Sequence, residues 1–240
     1  MITADPRINE VSDILEKVET QVVHIAHLDD IFWQVQAIIR DNPALASGGA
    51  FHEWLGHCYV DSVTAGIRRL CDRRRDVISL WRVFQRMIEV APLLTRERHA
   101  ALYGSDAQTL AQRSWARLVG ESQQHVPKSL IAAKRSELEA ALKKVSDFAD
   151  QNVAHTSANP IHVETTFADV RASIAAAFGL YSWCSRVLIG KAYSSPVPTI
   201  LEPWLKIFRI AWIPEGHGTP KYRSLQQILD EQKRCERSGT

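Results

Sequence analysis

The residues best suited to chemistry lie where a long amphipathic helical pattern ends. The segment from Asp147 to His155 carries two aspartates and an imidazole, and a loop begins at Thr156. Histidine changes its charge near neutral pH, so His155 is a candidate for proton transfer, with Asp150 beside it. The alternative is structural, because a histidine at this place can cap the last helical carbonyls and is favoured there by the helix dipole. From the residues alone, both roles remain open.

A second polar set follows one side of a predicted helix from Phe51 to Arg75. At 100° per residue, one side of this helix is apolar and includes Gly66, a position that allows a close helix approach. The simplest interpretation of the other side is a solvated face with ion pairs between turns. That polar side carries His57, Asp61, Thr64, Arg68 and Asp72.

Together these two segments resemble the HEPN superfamily of helical proteins. The motifs Tyr59-Val-Asp61, Ile67-Arg-Arg-Leu-Cys-Asp72 and Val77-Ile-Ser-Leu80 are similar to its abortive-infection-type branch, found in bacterial phage-defence and toxin modules. The resemblance implies an all-α bundle in which polar residues of the second helix help to frame a site near the histidine. The supporting residues implied for that site are His57, Asp61, Asp72 and Asn152.

The resemblance also implies a ribonuclease chemistry that needs no metal. In HEPN ribonucleases the RNA 2′-hydroxyl attacks the adjacent phosphate, an imidazole assists proton transfer, and a guanidinium stabilises charge on the phosphoryl oxygens. The family's arginine precedes its histidine by roughly five to seven positions. Here those positions hold Phe148, Ala149 and Asp150, and no arginine lies between Ser136 and Asn159. The motif arginine is therefore missing.

Two explanations of this departure follow. Arg68 or Arg69 could supply the guanidinium from the neighbouring helix, or the protein has weak or lost cleavage and retains binding. A site that lacks its strongest transition-state donor should be slower by orders of magnitude, which favours the second explanation.

A basic patch lies at the end of the same predicted helix. The eight residues from Arg68 to Arg75 include five arginines. Such a patch could hold an RNA backbone, with Arg73, Arg74 and Arg75 as the candidate contacts. A solvated helix end whose arginines favour the helix dipole is the alternative.

No cofactor or metal is expected from the sequence. Phosphate-binding glycine loops and nucleophile elbows are absent from it. His24 and His27 have helical ligand spacing and precede Asp29-Asp30, but they lack a clear third ligand. A surface or partly buried histidine pair is the simpler interpretation.

Composition predicts a reduced cytoplasmic protein with no membrane segment. The 240 residues carry a formal net charge of +2, so overall charge gives little bias towards nucleic acid or membranes. The four cysteines are widely spaced and form no Cys-x-x-Cys pair. The most apolar stretch, Ile174 to Ile189, is too short and too polar to span a bilayer and indicates a core helix.

Helical periodicity dominates the chain and predicts an all-α, HEPN-like helical bundle over residues 5–193. Residues 194–240 are expected to form a C-terminal extension that packs back on the bundle, with a proline-rich linker first and a short strand or helix near Trp204. A polar helix is expected from Leu225 to Arg237. The predicted bundle helices cover residues 8–40 as one helix or two, then 51–75, 79–89, 107–119, 128–153 and part of 162–191.

Three functions are compatible with this pattern. The first is an RNA-interacting protein of a phage-defence or toxin–antitoxin type system with weak or lost cleavage. The second is an active metal-independent endoribonuclease that uses His155 with Arg68 or Arg69. The third is a non-enzymatic dimeric scaffold. The resemblance implies a homodimer in each case, with RNA and an antitoxin or other defence-system protein as possible partners.

Overall fold

The predicted all-α class is confirmed. The computed structural model describes residues 5–42, 45, 49–154, 164–199 and 202–209. Within these ranges the chain forms helices and no strand, and the only extended pairing is one isolated bridge between Thr95 and His125. The chain divides into two compact units, residues 1–198 and residues 199–240. The predicted helix over residues 225–237 lies outside the described residues.

The described part of the first unit contains seven α-helices. A π-helical turn, Asp150–Ala154, directly follows the sixth of them. The α-helices are α1 (Pro6–Asp41), α2 (Ala50–Leu70), α3 (Leu80–Val90), α4 (Arg96–Ala101), α5 (Gln108–Leu118), α6 (Lys128–Ala149) and α7 (Phe167–Ile189).

The first helix is one continuous element of 36 residues. Asp5 caps its N-terminus by accepting a hydrogen bond from the Arg7 amide at 2.9 Å, and Pro6 takes the first helical turn, where its missing N–H costs nothing. Its buried side chains continue at helical spacing as far as Phe32 and Val35, so the apolar stripe does not change direction near residue 30.

The core lies among α1, α2, α3, α6 and α7. A Cβ atom on Gly66 would lie 2.8 Å from Cγ1 of Ile25, so this glycine lets α2 approach α1 closely, as the sequence indicated. Helix α7 contributes most of its side chains to the core. By length and composition α7 could cross a membrane, but 61% of its most apolar window is buried inside the bundle.

Two details of the predicted second helix are wrong. It ends at Leu70 rather than Arg75. The Asp72 carboxylate accepts a hydrogen bond from the Arg74 amide, and the Ser79 hydroxyl donates to the Asp72 carbonyl at 2.6 Å, so side chains bind the backbone groups that a longer helix would use. Thr64, which was predicted to face solvent, is fully buried.

The segment Trp204–Arg209, expected as a strand or an apolar helix, is a short 3₁₀ helix.

Candidate functional site

The C-terminal end of α6 changes its helical geometry just before the candidate histidine. After Ala149 the chain continues as the π-helical turn Asp150–Ala154. Such turns are rare and occur frequently at functional sites, because the extra residue per turn redirects side chains. His155 follows this turn and lies outside the described residues.

Helix α2 brings an arginine to the beginning of this turn. Nε of Arg68 donates to Oδ1 of Asp150, although the two residues are 82 positions apart in the chain. The side chains are 37% and 47% exposed, so the ion pair lies at the surface and is accessible to a polyanion. The guanidinium of Arg68 thus lies next to one of the three positions at which the implied motif would carry its own arginine.

Asp72 belongs to the same charged region but has a different partner. Its carboxylate pairs with Arg74 at 3.1 Å. Burial by itself would raise the pKa of Asp72, but the hydrogen bonds from Arg74 and the charges of Arg74 and Arg68 outweigh burial and lower this pKa. Asp72 therefore stays ionised and binds Arg74, whereas Arg68 binds Asp150.

Among the described residues, the other candidates form no hydrogen bond or ion pair with Arg68 or Asp150. His57 and Asp61 are exposed on α2, and Asp61 lies two turns before Arg68. Asn152 is exposed in the π-helical turn, where its Nδ2 donates to the Phe148 carbonyl at 3.0 Å. Arg69 is exposed and donates to the Ala65 carbonyl of its own helix at 3.4 Å.

Most of the predicted basic patch is already paired. Arg73 forms an ion pair with Glu139 at 2.9 Å, and its guanidinium lies 5.9 Å from the centre of the Trp81 ring. Arg74 is held by Asp72. Arg75 is exposed and forms no ion pair with any residue that the structure describes. A phosphate backbone would therefore meet a patch whose charge is partly neutralised.

A metal centre is not formed by the described part of the chain, where no group of three or more His, Cys, Asp or Glu side chains is placed to hold an ion. Asp29 follows His24 and His27 in the sequence, but in the structure its carboxylate binds the side chains of two aromatic residues. It accepts hydrogen bonds from the Tyr59 hydroxyl at 2.6 Å and from Nε1 of Trp33 at 3.1 Å.

The sequence analysis did not identify a second cationic cluster, formed by α5 and α7. Arg113 and Arg117 of α5 and Arg186 of α7 line one cavity of about 390 Å³. The spacing of Arg113 and Arg117 by four residues places them on one helix face and could have been noticed. Arg186 is remote in sequence, so only the fold reveals that it joins them.

Comparisons with family models, with curated proteins and with solved structures find no match to this chain. The arguments about its site therefore rest on its own residues and their geometry.

Proposed function

We propose that this protein is a cytoplasmic, RNA-interacting, HEPN-like helical protein of a phage-defence or toxin–antitoxin type system, with weak or lost cleavage activity. The observation that carries the proposal is the ion pair between Arg68 and Asp150 at the turn that precedes His155. The three described cysteines Cys58, Cys71 and Cys184 are free thiols, as expected in a reducing compartment.

The ion pair explains how binding and poor cleavage fit together. The half-exposed Arg68 can attract an RNA phosphate, since guanidinium groups bind phosphate oxygens well. The carboxylate of Asp150, however, already binds the guanidinium of Arg68. It also repels the negative charge that develops on a phosphoryl group during cleavage. The site thus supports attraction of RNA better than stabilisation of a transition state.

The same observation favours one alternative. Because Arg68 lies beside Asp150, it is the described guanidinium best placed to replace the missing motif arginine for His155. An active endoribonuclease would use it once RNA displaces the carboxylate. Purified protein and labelled RNA with a chelator should then yield cyclic-phosphate ends, and His155→Ala and Arg68→Ala should each remove them.

Releasing Arg68 from its partner tests the proposal directly. The substitution Asp150→Asn removes the charge that holds Arg68 and keeps the side chain's size. RNA affinity should rise about fivefold at low salt, since a surface ion pair that competes with phosphate contributes about 1 kcal/mol. Any cleavage should rise by about tenfold or more, because one strong donor is restored.

Asp147→Asn is the matched control. Asp147 lies one turn earlier on α6 and pairs with Lys143 at 2.7 Å, so its replacement changes the net charge equally without releasing Arg68. Equal effects of the two substitutions would mean that only net charge matters. If neither the wild type nor Asp150→Asn binds RNA at low salt, the proposed function is wrong.

A homodimer remains part of the proposal, because the implied site forms where two HEPN subunits face each other. Sedimentation of the full chain at micromolar concentration should give about twice the monomer mass of 27.0 kDa. A monomer that still cleaves RNA would contradict a site shared between subunits.

A further inference from the structure

Three arginines converge on one cavity far from the Arg68–Asp150 pair in sequence and share no residue with it. Arg113 and Arg117 lie on the same side of α5, and Arg186 lies one turn before the C-terminus of α7. The cavity has a volume of about 390 Å³, which is in the range of small-molecule sites. Among the described residues that line it, none is acidic.

The charge of this cluster is not compensated by the described residues. None of the three arginines forms an ion pair with an acidic residue in the ranges that the structure describes. Elsewhere in the bundle, by contrast, Arg86 pairs with both Glu10 and Glu89. Arg113 and Arg117 are exposed, so solvent weakens the repulsion among the three guanidinium groups, but their positive charges together still attract an anion to the cavity.

One donor of the cluster is buried. Nε of Arg186 is inaccessible to solvent and has no hydrogen-bond partner among the described residues. Because solvent cannot reach this atom, a phosphate oxygen would bond to it only after the guanidinium turns towards the cavity, and that turn would satisfy a donor that is costly to leave unpaired. The burial of this atom distinguishes Arg186 from Arg113 and Arg117, which are exposed on α5.

One neutral donor, the Ser114 hydroxyl, also lines the cationic cavity. Ser114 and Tyr103 both line it, and the Tyr103 hydroxyl donates to Oγ of Ser114 at 3.1 Å. Since Ser114 already accepts this bond, its own proton can be donated either to Nε2 of His99, 3.2 Å away, or into the cavity. A hydroxyl beside guanidinium groups is the usual combination for holding the oxygens of a phosphate.

A second cavity shares part of its lining with the first. It has a volume of about 480 Å³ and shares Arg186 and Leu118 with the cationic cavity. Aromatic side chains line it, namely Phe178, Trp183 and Tyr193, together with Lys134 and Glu137, which pair with each other at 2.7 Å. Nε1 of Trp183 is occupied by the Leu118 carbonyl at 3.0 Å, so the indole offers its apolar surface rather than its donor.

We propose that the two cavities form one binding site for a small phosphate monoester carried on a flat ring. Arg113, Arg117 and Arg186 hold the phosphate, and the ring packs in the second cavity beside Phe178. The site is independent of the proposed RNA interaction, because it uses none of the residues around Asp150.

The test uses the full-length protein and three probes: phenyl phosphate, inorganic phosphate and phenol. Calorimetry should show phenyl phosphate binding at least about tenfold more tightly than inorganic phosphate, because burial of a ring adds apolar area. Phenol should not bind measurably. Binding of phenol as tightly as phenyl phosphate, or no binding of phenyl phosphate at millimolar concentration, would overturn the proposal.

Substitutions identify the two halves of the site. Arg113→Gln, Arg117→Gln and Arg186→Gln should each weaken phenyl phosphate binding by about tenfold, the usual effect of losing one hydrogen bond to a charged group. The control Lys17→Gln removes the same charge from an exposed residue of α1 outside the cavity and should leave phenyl phosphate binding unchanged. Equal weakening by Lys17→Gln would reduce the effect to net charge and contradict the site.

Folding is checked separately from binding. Phe178→Leu should weaken phenyl phosphate and leave inorganic phosphate unchanged; an equal effect on both would contradict the place of the ring. Arg186→Gln should not lower the melting temperature of the free protein, because it removes an uncompensated charge. Arg68→Ala should leave phenyl phosphate binding intact, so this proposal and the proposed RNA interaction can fail independently.

Discussion

Acidification should destabilise the bundle through His99, an imidazole buried between α4 and α5. The residue is 1% exposed, and its ring lies 5.3 Å from that of Tyr103 and 5.4 Å from that of Trp115. Its Nδ1 has no partner among the described residues. Burial, and secondarily the charge of Arg98, lower the pKa of His99 from 6.5 to about 4.

The sign and size of the effect follow from this pKa. In the unfolded chain the imidazole takes up a proton near pH 6.5, whereas in the folded protein it resists protonation until about pH 4. The unfolded state therefore binds more protons between these values, so stability is complete above pH 6.5 and is lost as the pH falls. The whole difference corresponds to about 3 kcal/mol, of which about 2 kcal/mol is lost at pH 5.

Urea unfolding at pH 7.5 and at pH 5 measures this loss. His99→Gln keeps an amide that can bind Ser114 but cannot titrate, so it should lose about 2 kcal/mol less than the wild type between the two pH values. The control His125→Gln removes an exposed histidine and should lose as much as the wild type. An identical loss in the wild type and in His99→Gln would refute the reasoning.

Three further substitutions test the packing and the helix ends. Gly66→Ala should lower the free energy of unfolding by about 1–2 kcal/mol, because overpacking against Ile25 exceeds the gain in helix propensity. Adding Ile25→Val should recover part of this loss in urea unfolding. An unchanged loss in the double variant would contradict the contact. Gly190→Ala should cost about 1 kcal/mol in the same assay, since this residue ends α7 with φ of +69°, and a neutral result would contradict the strain. Thr166→Ala should lower the free energy of unfolding by about 1 kcal/mol, because it removes the capping box of α7. The control Thr109→Ala, in the first turn of α5, should lower it by less than half as much. Equal losses would mean that the cap contributes nothing.

Local sequence patterns were sufficient for most of the helices. Helix α3 begins one residue after Ser79, whose hydroxyl accepts from the Arg82 amide, and its predicted bounds differ from the observed ones by one residue at each end. The close approach at Gly66 was also predictable, because an apolar stripe that contains one glycine indicates where two helices meet. Such features depend on residues within a few positions of one another.

The end of α2 required the fold. Arginines continue the helical pattern through residue 75, but Ser79 and Asp72 bind the backbone groups beyond Leu70 and end the helix. The choice between a longer helix and this turn depends on α3 being held in place by the core. The burial of Thr64 also required the fold. Whether this side chain is buried or exposed depends on how α2 is rotated about its own axis.

The candidate sites divide in the same way. The sequence alone predicted an all-α protein and a long helix that ends close to His155. Only the tertiary structure decided that Arg68 pairs with Asp150, and that Arg186 joins Arg113 and Arg117 around one cavity. Hydrogen bonds within a helix join residues four positions apart and are encoded locally. Contacts between side chains of different helices depend on how the helices are packed and rotated, which the whole core determines.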